Sequence, residues 1–198
     1  MPKISAAHRA MRQAQILDAA WRCFYREGVQ ATTMEQIIAA SGLSASAMYR
    51  YFAGKDDIIV AAVSASLTGL AQRLEPIFDD PVPAGVAALV QRLTGAIEAF
   101  AARPGYKLTT IALHGWSEAQ RNERLRRLMR EHYAAFRRRL TQRVRRWQAE
   151  GRIAAGAPAG DVARLLLSVL FGFVVQGAIL GDASPAALAR GLEALGGR

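Results

Sequence analysis

Apolar residues in this chain recur at intervals of three and four, the period of a helix with one buried face. Ile16, Ala19, Ala20, Cys23 and Phe24 share one side of a helix predicted over 12–25, with Arg12, Arg22 and Arg26 elsewhere and Gly28 ending it. Thr32 and Thr33 suit a helix start, and Gln36 follows Thr33 at the capping-box spacing. Ile37 and Ala40 then place apolar groups on one face, and Gly42 suits a left-handed turn. Ser44 is the next N-cap, opening a helix through about Tyr51 whose Met48 and Phe52 point to the core.

Asp56 and Asp57 complement the positive end of a further helix, which runs to about Phe78 through Ile58, Val63, Leu67 and Leu74. The segment Asp79–Pro83 is the clearest break. Helices are predicted over 84–102, 105–118, 121–150, 160–181 and 185–195. The helix over 121–150 carries a seam that includes Leu125, Met129, His132, Tyr133, Phe136 and Trp147. Leu165 to Leu180 is apolar all round and must be covered on every side, with Gly172, Gly177 and Gly181 permitting close approach. No alternating run is long enough for a sheet. The fold class is therefore all-α with about nine helices: a head at 1–55 and a larger body at 56–198.

Two short helices joined by a glycine turn present the second helix to a DNA major groove. The order Thr33, Met34, Ile37, Gly42, Leu43, Ser44, Met48, Tyr49, Tyr51, Phe52, Lys55 resembles the helix-turn-helix motif of the tetracycline-repressor (TetR) family. The motif covers about the first quarter of the chain. Three positions depart from it: Ile38 where alanine is usual, Ser46 for a glycine, and Gly54 for a serine-like cap. The bulk of Ile38 is expected to splay or repack the two helices. The resemblance implies that Thr33, Tyr49, Tyr51 and Lys55 bind phosphates, which fixes register without reading sequence. It leaves Ser44, Ala45, Ser46 and Arg50 near base edges, where arginine suits guanine and alanine a thymine methyl. Arg50 serves equally well as a solvated helix residue.

The chain has 198 residues, 52% of them hydrophobic, and a net charge of +10. That charge favours a polyanionic partner, but it does not sit on the head. Residues 1–60 carry 7 Lys/Arg against 5 Asp/Glu, and residues 121–152 carry 12 against 3. The arginines of 121–152 read as a solvated face around one buried stripe, as positive potential near DNA, or as attraction for an acidic partner. Lys3, His8 and Arg9 form a basic N-terminal extension, expected to be mobile and within reach of phosphates or the minor groove.

Met1 to Gln15 lacks an apolar signal core, and the 165–180 run is shorter than the roughly 20 residues a membrane span needs. A cytoplasmic protein without a membrane partner is expected. The one cysteine, Cys23, reads as a core residue and excludes an intramolecular disulfide. His8, His114 and His132 stand far apart, outside any metal or catalytic pattern, so neither metal, cofactor nor enzymatic activity is expected.

The resemblance implies a homodimer held by the last two helices and a body that binds a small-molecule effector. Phe100, Tyr106, His114, Trp116, Tyr133, Phe136, Phe173 and Gln176 are the candidates for that site. Each also suits core packing, although His114 and Gln176 are polar groups in apolar helices that need partners. The function expected is a repressor released from double-stranded, inverted-repeat operator DNA by an apolar or aromatic effector. The alternative is a DNA-binding protein of the same fold without an inducer, acting as a nucleoid or division factor. An effector cavity in the body separates the two.

Overall fold

The computed structural model describes residues 6–80 and 85–196. Among them the chain forms nine helices and one small hairpin, so the all-α expectation holds. Helix α1 (Ala6–Ala31) begins six residues before the amphipathic stripe predicts. Ala6, Ala7, Ala10 and Ala14 favour helix with no burial to drive it. His8 and Arg9 are therefore helical rather than part of a mobile arm, and Lys3 lies outside the described residues. Gly28, at φ 79° and ψ 159°, breaks α1 and leaves a last turn that reaches Ala31.

Helix α2 (Met34–Ser41) starts on Thr33 with both halves of the capping box formed: Gln36 N donates to Thr33 Oγ1 and Thr33 N to Gln36 Oε1, at 3.3 and 2.7 Å. Gly42 closes it in the left-handed region at φ 68°. Ile37 and Ser41 are buried, whereas Ala40 is exposed, so Ala40 does not share the apolar face predicted for it. Ile38 packs half-buried against the head core. Helix α3 (Ala45–Tyr49) is capped by Ser44, and Met48 and Phe52 are buried as predicted.

Helix α4 (Lys55–Asp79) and helix α7 (Glu123–Ala149) run the length of the molecule and enter two separate cores. The head core holds Ile16, Phe24, Ile37, Met48, Ile58 and Ile59, reaches Val63, and takes in Leu125 and Met129 of α7. The body core holds Leu74, Phe78, Leu89, Leu93, Leu140 and Trp147, with helix α5 (Val86–Ala101) and helix α8 (Ala159–Ile179) packed into it. The Asp79–Pro83 break lies partly outside the described residues, at 81–84.

Strands β1 (Ala102–Arg103) and β2 (Tyr106–Lys107) form a hairpin around Gly105, at φ 88°, that periodicity gave no sign of. Helix α6 (Leu108–Glu118) follows directly, and helix α9 (Pro185–Gly196) ends the described chain.

By length and composition α4 and α8 could each span a bilayer, which corrects the shorter run read from sequence. Each buries residues in the cores, as a core helix does. The far side of α8 is uncovered, with Leu165, Ile179 and Leu180 about two-thirds exposed, and Leu195 of α9 is 88% exposed. Of the glycines expected to let a partner helix approach, Gly181 makes the turn after α8 at φ 74° and Gly177 faces Ala183 of its own chain.

Candidate nucleic-acid interface and effector cavity

Six of the eight residues expected at DNA lie on the exposed surface of the head: Thr33, Ser44, Ala45, Ser46, Tyr49 and Arg50. The fold accounts for this arrangement. Met48 and Phe52 anchor α3 from one side, which turns Ala45, Ser46 and Tyr49 outward, and Tyr49 is 51% exposed. Ser44 Oγ caps α3 through Ala47 N at 3.3 Å and lies 3.2 Å from Ser46 Oγ, so the serine at 46 joins the cap. Tyr51 is half-buried and packs against the head core. Glu35, beside Thr33, is held below the usual carboxylate range by its own backbone N–H and then by the Thr33 hydroxyl.

Lys55 is differently placed. Its Nζ donates to the carbonyls of Val29, Gln30 and Thr32 at 3.3, 2.9 and 2.9 Å. All three N–H donors of the ammonium thereby meet the carbonyl end of α1, where a cation also complements the helix dipole. Lys55 thereby ties α4 to α1.

Two polar contacts join the head to the body, and a third ties α7 to the start of α4. Tyr106 Oη donates to Asp18 at 3.1 Å, and Gln30 donates to the buried carboxylate of Glu118. Arg124 pairs with Asp57 at 2.7 Å, a hydrogen bond that pulls the Asp57 carboxyl below its ordinary range. Burial, with Asp18 adding to it, raises the Tyr106 phenol to about 12.

The arginines of α7 divide between two roles. Arg139 reaches Glu75 and Asp79 at 2.6 and 2.7 Å. Arg143, only 4% exposed, donates to the carbonyls of Phe78 and Asp80 at the end of α4. A buried arginine clamp was not visible in a stretch, 121–152, that carries 12 arginines. Most of the remaining arginines of the helix, including Arg127, Arg130, Arg137 and Arg145, are exposed.

Between α4, α5, α6, α7 and α8 lies a cavity of about 180 Å³. Its aromatic wall is Phe100, Trp116, Tyr133, Phe136 and Phe171, and its polar lining includes Ser66, Thr109 and His132. Trp116 and Tyr133 both pack on Phe171, at centroid distances of 5.3 and 4.9 Å. Trp116 Nε1 donates to Tyr133 Oη at 2.8 Å. Burial raises the Tyr133 phenol above its ordinary value, and the bond from Trp116 opposes that.

Of the residues predicted for an effector site, the structure brings together Phe100, Trp116, Tyr133 and Phe136. The other four lie off the cavity. Tyr106 is buried in the head core, and Phe173 in the body core. His114 and Gln176 are exposed, so neither is the buried polar group its apolar neighbours suggested. His114 instead lies beside Gly28. Phe171, two residues from Phe173, lines the cavity because a two-residue step turns a helix by more than half a circle. His132 was visible in the α7 seam, but its neighbours gave no reason to separate it from the core.

Residues 16–62 match the model described as bacterial regulatory proteins, tetR family, and residues 89–195 match that of the BetI-type transcriptional repressor, C-terminal. The HTH-type transcriptional regulator BetI of Rhizobium meliloti is 31% identical over 133 residues, 65% of this chain and 61% of that protein. A regulator from Saccharomonospora viridis, solved in complex with choline, superposes at a TM-score of 0.76 with 20% identity, covering 94% of this chain and 95% of that one. FadR of Bacillus subtilis, solved in complex with stearoyl-CoA, superposes at 0.75 with 17% identity over 92% and 96%. At those identities the two structures speak for the fold. The helix-turn-helix head and the BetI-type body together make this chain a member of the TetR family of bacterial transcription regulators, which are not enzymes.

Proposed function

We propose that this chain is a repressor that leaves an inverted-repeat operator when a small apolar or aromatic molecule enters the body cavity. The observation that carries the reading is the cavity itself. It has five aromatic side chains in its wall, and its α4 side belongs to the same helix that begins at Lys55. An occupant that moves α4 moves the head, and changes the separation of two heads in a dimer. The neighbours solved with choline and with stearoyl-CoA support a ligand-holding body in this fold. A cavity in this position favours this reading over an inducer-free DNA-binding factor.

In this account residues 1–55 contact DNA and residues 56–198 bind effector and partner, in the cytoplasm. Tyr49 and Thr33, with Tyr51 at the head's edge, hold phosphates, and Lys55 does so by exchanging one of its three carbonyls for a phosphate oxygen. Ser44, Ala45, Ser46 and Arg50 lie at the base edges. A homodimer through α8 and α9 covers Leu165, Ile179, Leu180 and Leu195, which the single chain leaves exposed. Two-fold symmetry then requires inverted half-sites about one DNA turn apart or somewhat more.

The test is selection of a binding site from random duplexes, followed by addition of small molecules recovered from the purified protein. Enrichment of an inverted repeat that such a molecule releases supports the reading. A selected repeat that no recovered molecule releases returns the preference to the inducer-free factor.

A further inference from the structure

The hydrogen bonds around the cavity sort its possible occupants further. Trp116 Nε1 donates to Tyr133 Oη, so that oxygen already has its donor and its own O–H remains to be given. His132 Nδ1 lies 3.0 Å from the carbonyl of Leu128, one turn back on α7. A carbonyl only accepts, so Nδ1 donates to it, and in the Nδ1–H tautomer Nε2 is an acceptor. Neighbouring residues of α7 thus present one donor and one acceptor in the lining of an otherwise apolar chamber.

Charge and size narrow the class. Among the described residues the lining contains no Lys, Arg, Asp or Glu, so a carboxylate or phosphate would lose its water without a counter-ion there. A quaternary cation needs open aromatic faces. Here Tyr133 packs edge-to-face on Phe171 and Trp116 is tilted against the same ring, so these rings spend part of their faces on one another. An engineered apolar cavity of about 150 Å³ holds one benzene, and the chamber of about 180 Å³ has room for one ring with a short substituent.

Resting on the effector reading above, we propose that the cavity selects a neutral single-ring alcohol or phenol. Its hydroxyl accepts from Tyr133 Oη and donates to His132 Nε2, and its ring lies among Phe100, Phe136 and Phe171. Tyr133 and His132 are then the specificity-determining residues of the site.

The test titrates the full-length protein with 4-methylphenol, toluene, 4-methylbenzoate and choline, followed by calorimetry. 4-Methylphenol is expected to bind more tightly than toluene, and both more tightly than the benzoate or choline. In Tyr133→Phe and His132→Leu the preference for 4-methylphenol over toluene is expected to fall roughly two- to tenfold, the range for one hydrogen bond. Because the preference is a ratio taken on one variant, any general loosening of the site cancels. Equal binding of 4-methylphenol and toluene by the wild type, an unchanged ratio in both variants, or tighter binding of choline or the benzoate overturns the proposal while leaving an effector site in place. Binding of none of the four also overturns the proposal, and the release of the operator by recovered molecules then decides the effector reading by itself.

Discussion

Replacing Lys55 by alanine separates two jobs that the sequence motif merges. The resemblance gives this residue a phosphate, while the structure gives its ammonium three carbonyls: Val29, Gln30 and Thr32. A hydrogen bond from a charged group contributes roughly 1.5–3 kcal/mol. The three contacts share one ammonium and so do not add. Lys55 is also half-buried, which lets water repay part of the loss. A net destabilisation of about 2 kcal/mol follows. For a chain of this size that lowers Tm by roughly 4–8 °C. Thermal and urea unfolding of the DNA-free protein measure it. Trp21, 8% exposed in the head core, reports on the head, whereas Trp147 lies in the body core. Operator titrations of the same variant at several salt concentrations give the second quantity, a log–log slope shallower by about one unit if the ammonium also meets a phosphate. A variant that unfolds with the wild type and still loses that unit of slope would refute the tie between α4 and α1 as an energetic contact.

Three further outcomes are expected. Tyr49→Phe, at an exposed hydroxyl, should weaken operator binding by about 1.5 kcal/mol, equally across single-base operator variants and with an unchanged salt slope; anisotropy titrations read both. Leu180→Arg, at a side chain 66% exposed in the single chain, should give a folded monomer in sedimentation, and a persisting dimer would remove α8 from the interface. Tyr106, raised to about 12, keeps its proton in the folded chain at a pH where the unfolded chain has lost it. Its contribution to stability is full below about pH 10 and is lost as pH rises toward 12. Tyr106→Phe should flatten that part of the stability profile, as alkaline unfolding would show.

The elements that sequence reveals best here are those whose cause is local. Thr33, Gln36, Gly42 and Ser44 each act within three or four residues, and each stands in the role its chemistry predicts. Helix periodicity likewise locates α4 to α9, because one face of each is buried. Contacts that join distant segments left no such trace. Tyr106 meets Asp18 and Gln30 meets Glu118 across 88 residues of chain, and Arg143 meets Phe78 across 65. The cavity shows the same limit. Aromatic content pointed to Phe100, Trp116, Tyr133 and Phe136, but composition cannot distinguish Phe171 from Phe173 when rotation about α8 alone decides which one lines the space. His114 drew attention as a polar group in an apolar helix and is exposed, while His132 sits in the lining.

The account's central claim is that occupancy of the body cavity governs operator affinity, and filling the cavity with a side chain tests it without knowledge of the effector. Ala112 lines the cavity from α6, and Ala112→Phe places a ring in the space proposed for a ligand ring. The decisive measurement is the operator Kd of Ala112→Phe against wild type on the selected inverted repeat, with circular dichroism confirming an intact fold. The account predicts a Kd raised about 5- to 150-fold, the usual span of allosteric coupling, with base preference unchanged. A folded Ala112→Phe protein that binds the repeat with the wild-type Kd would contradict it.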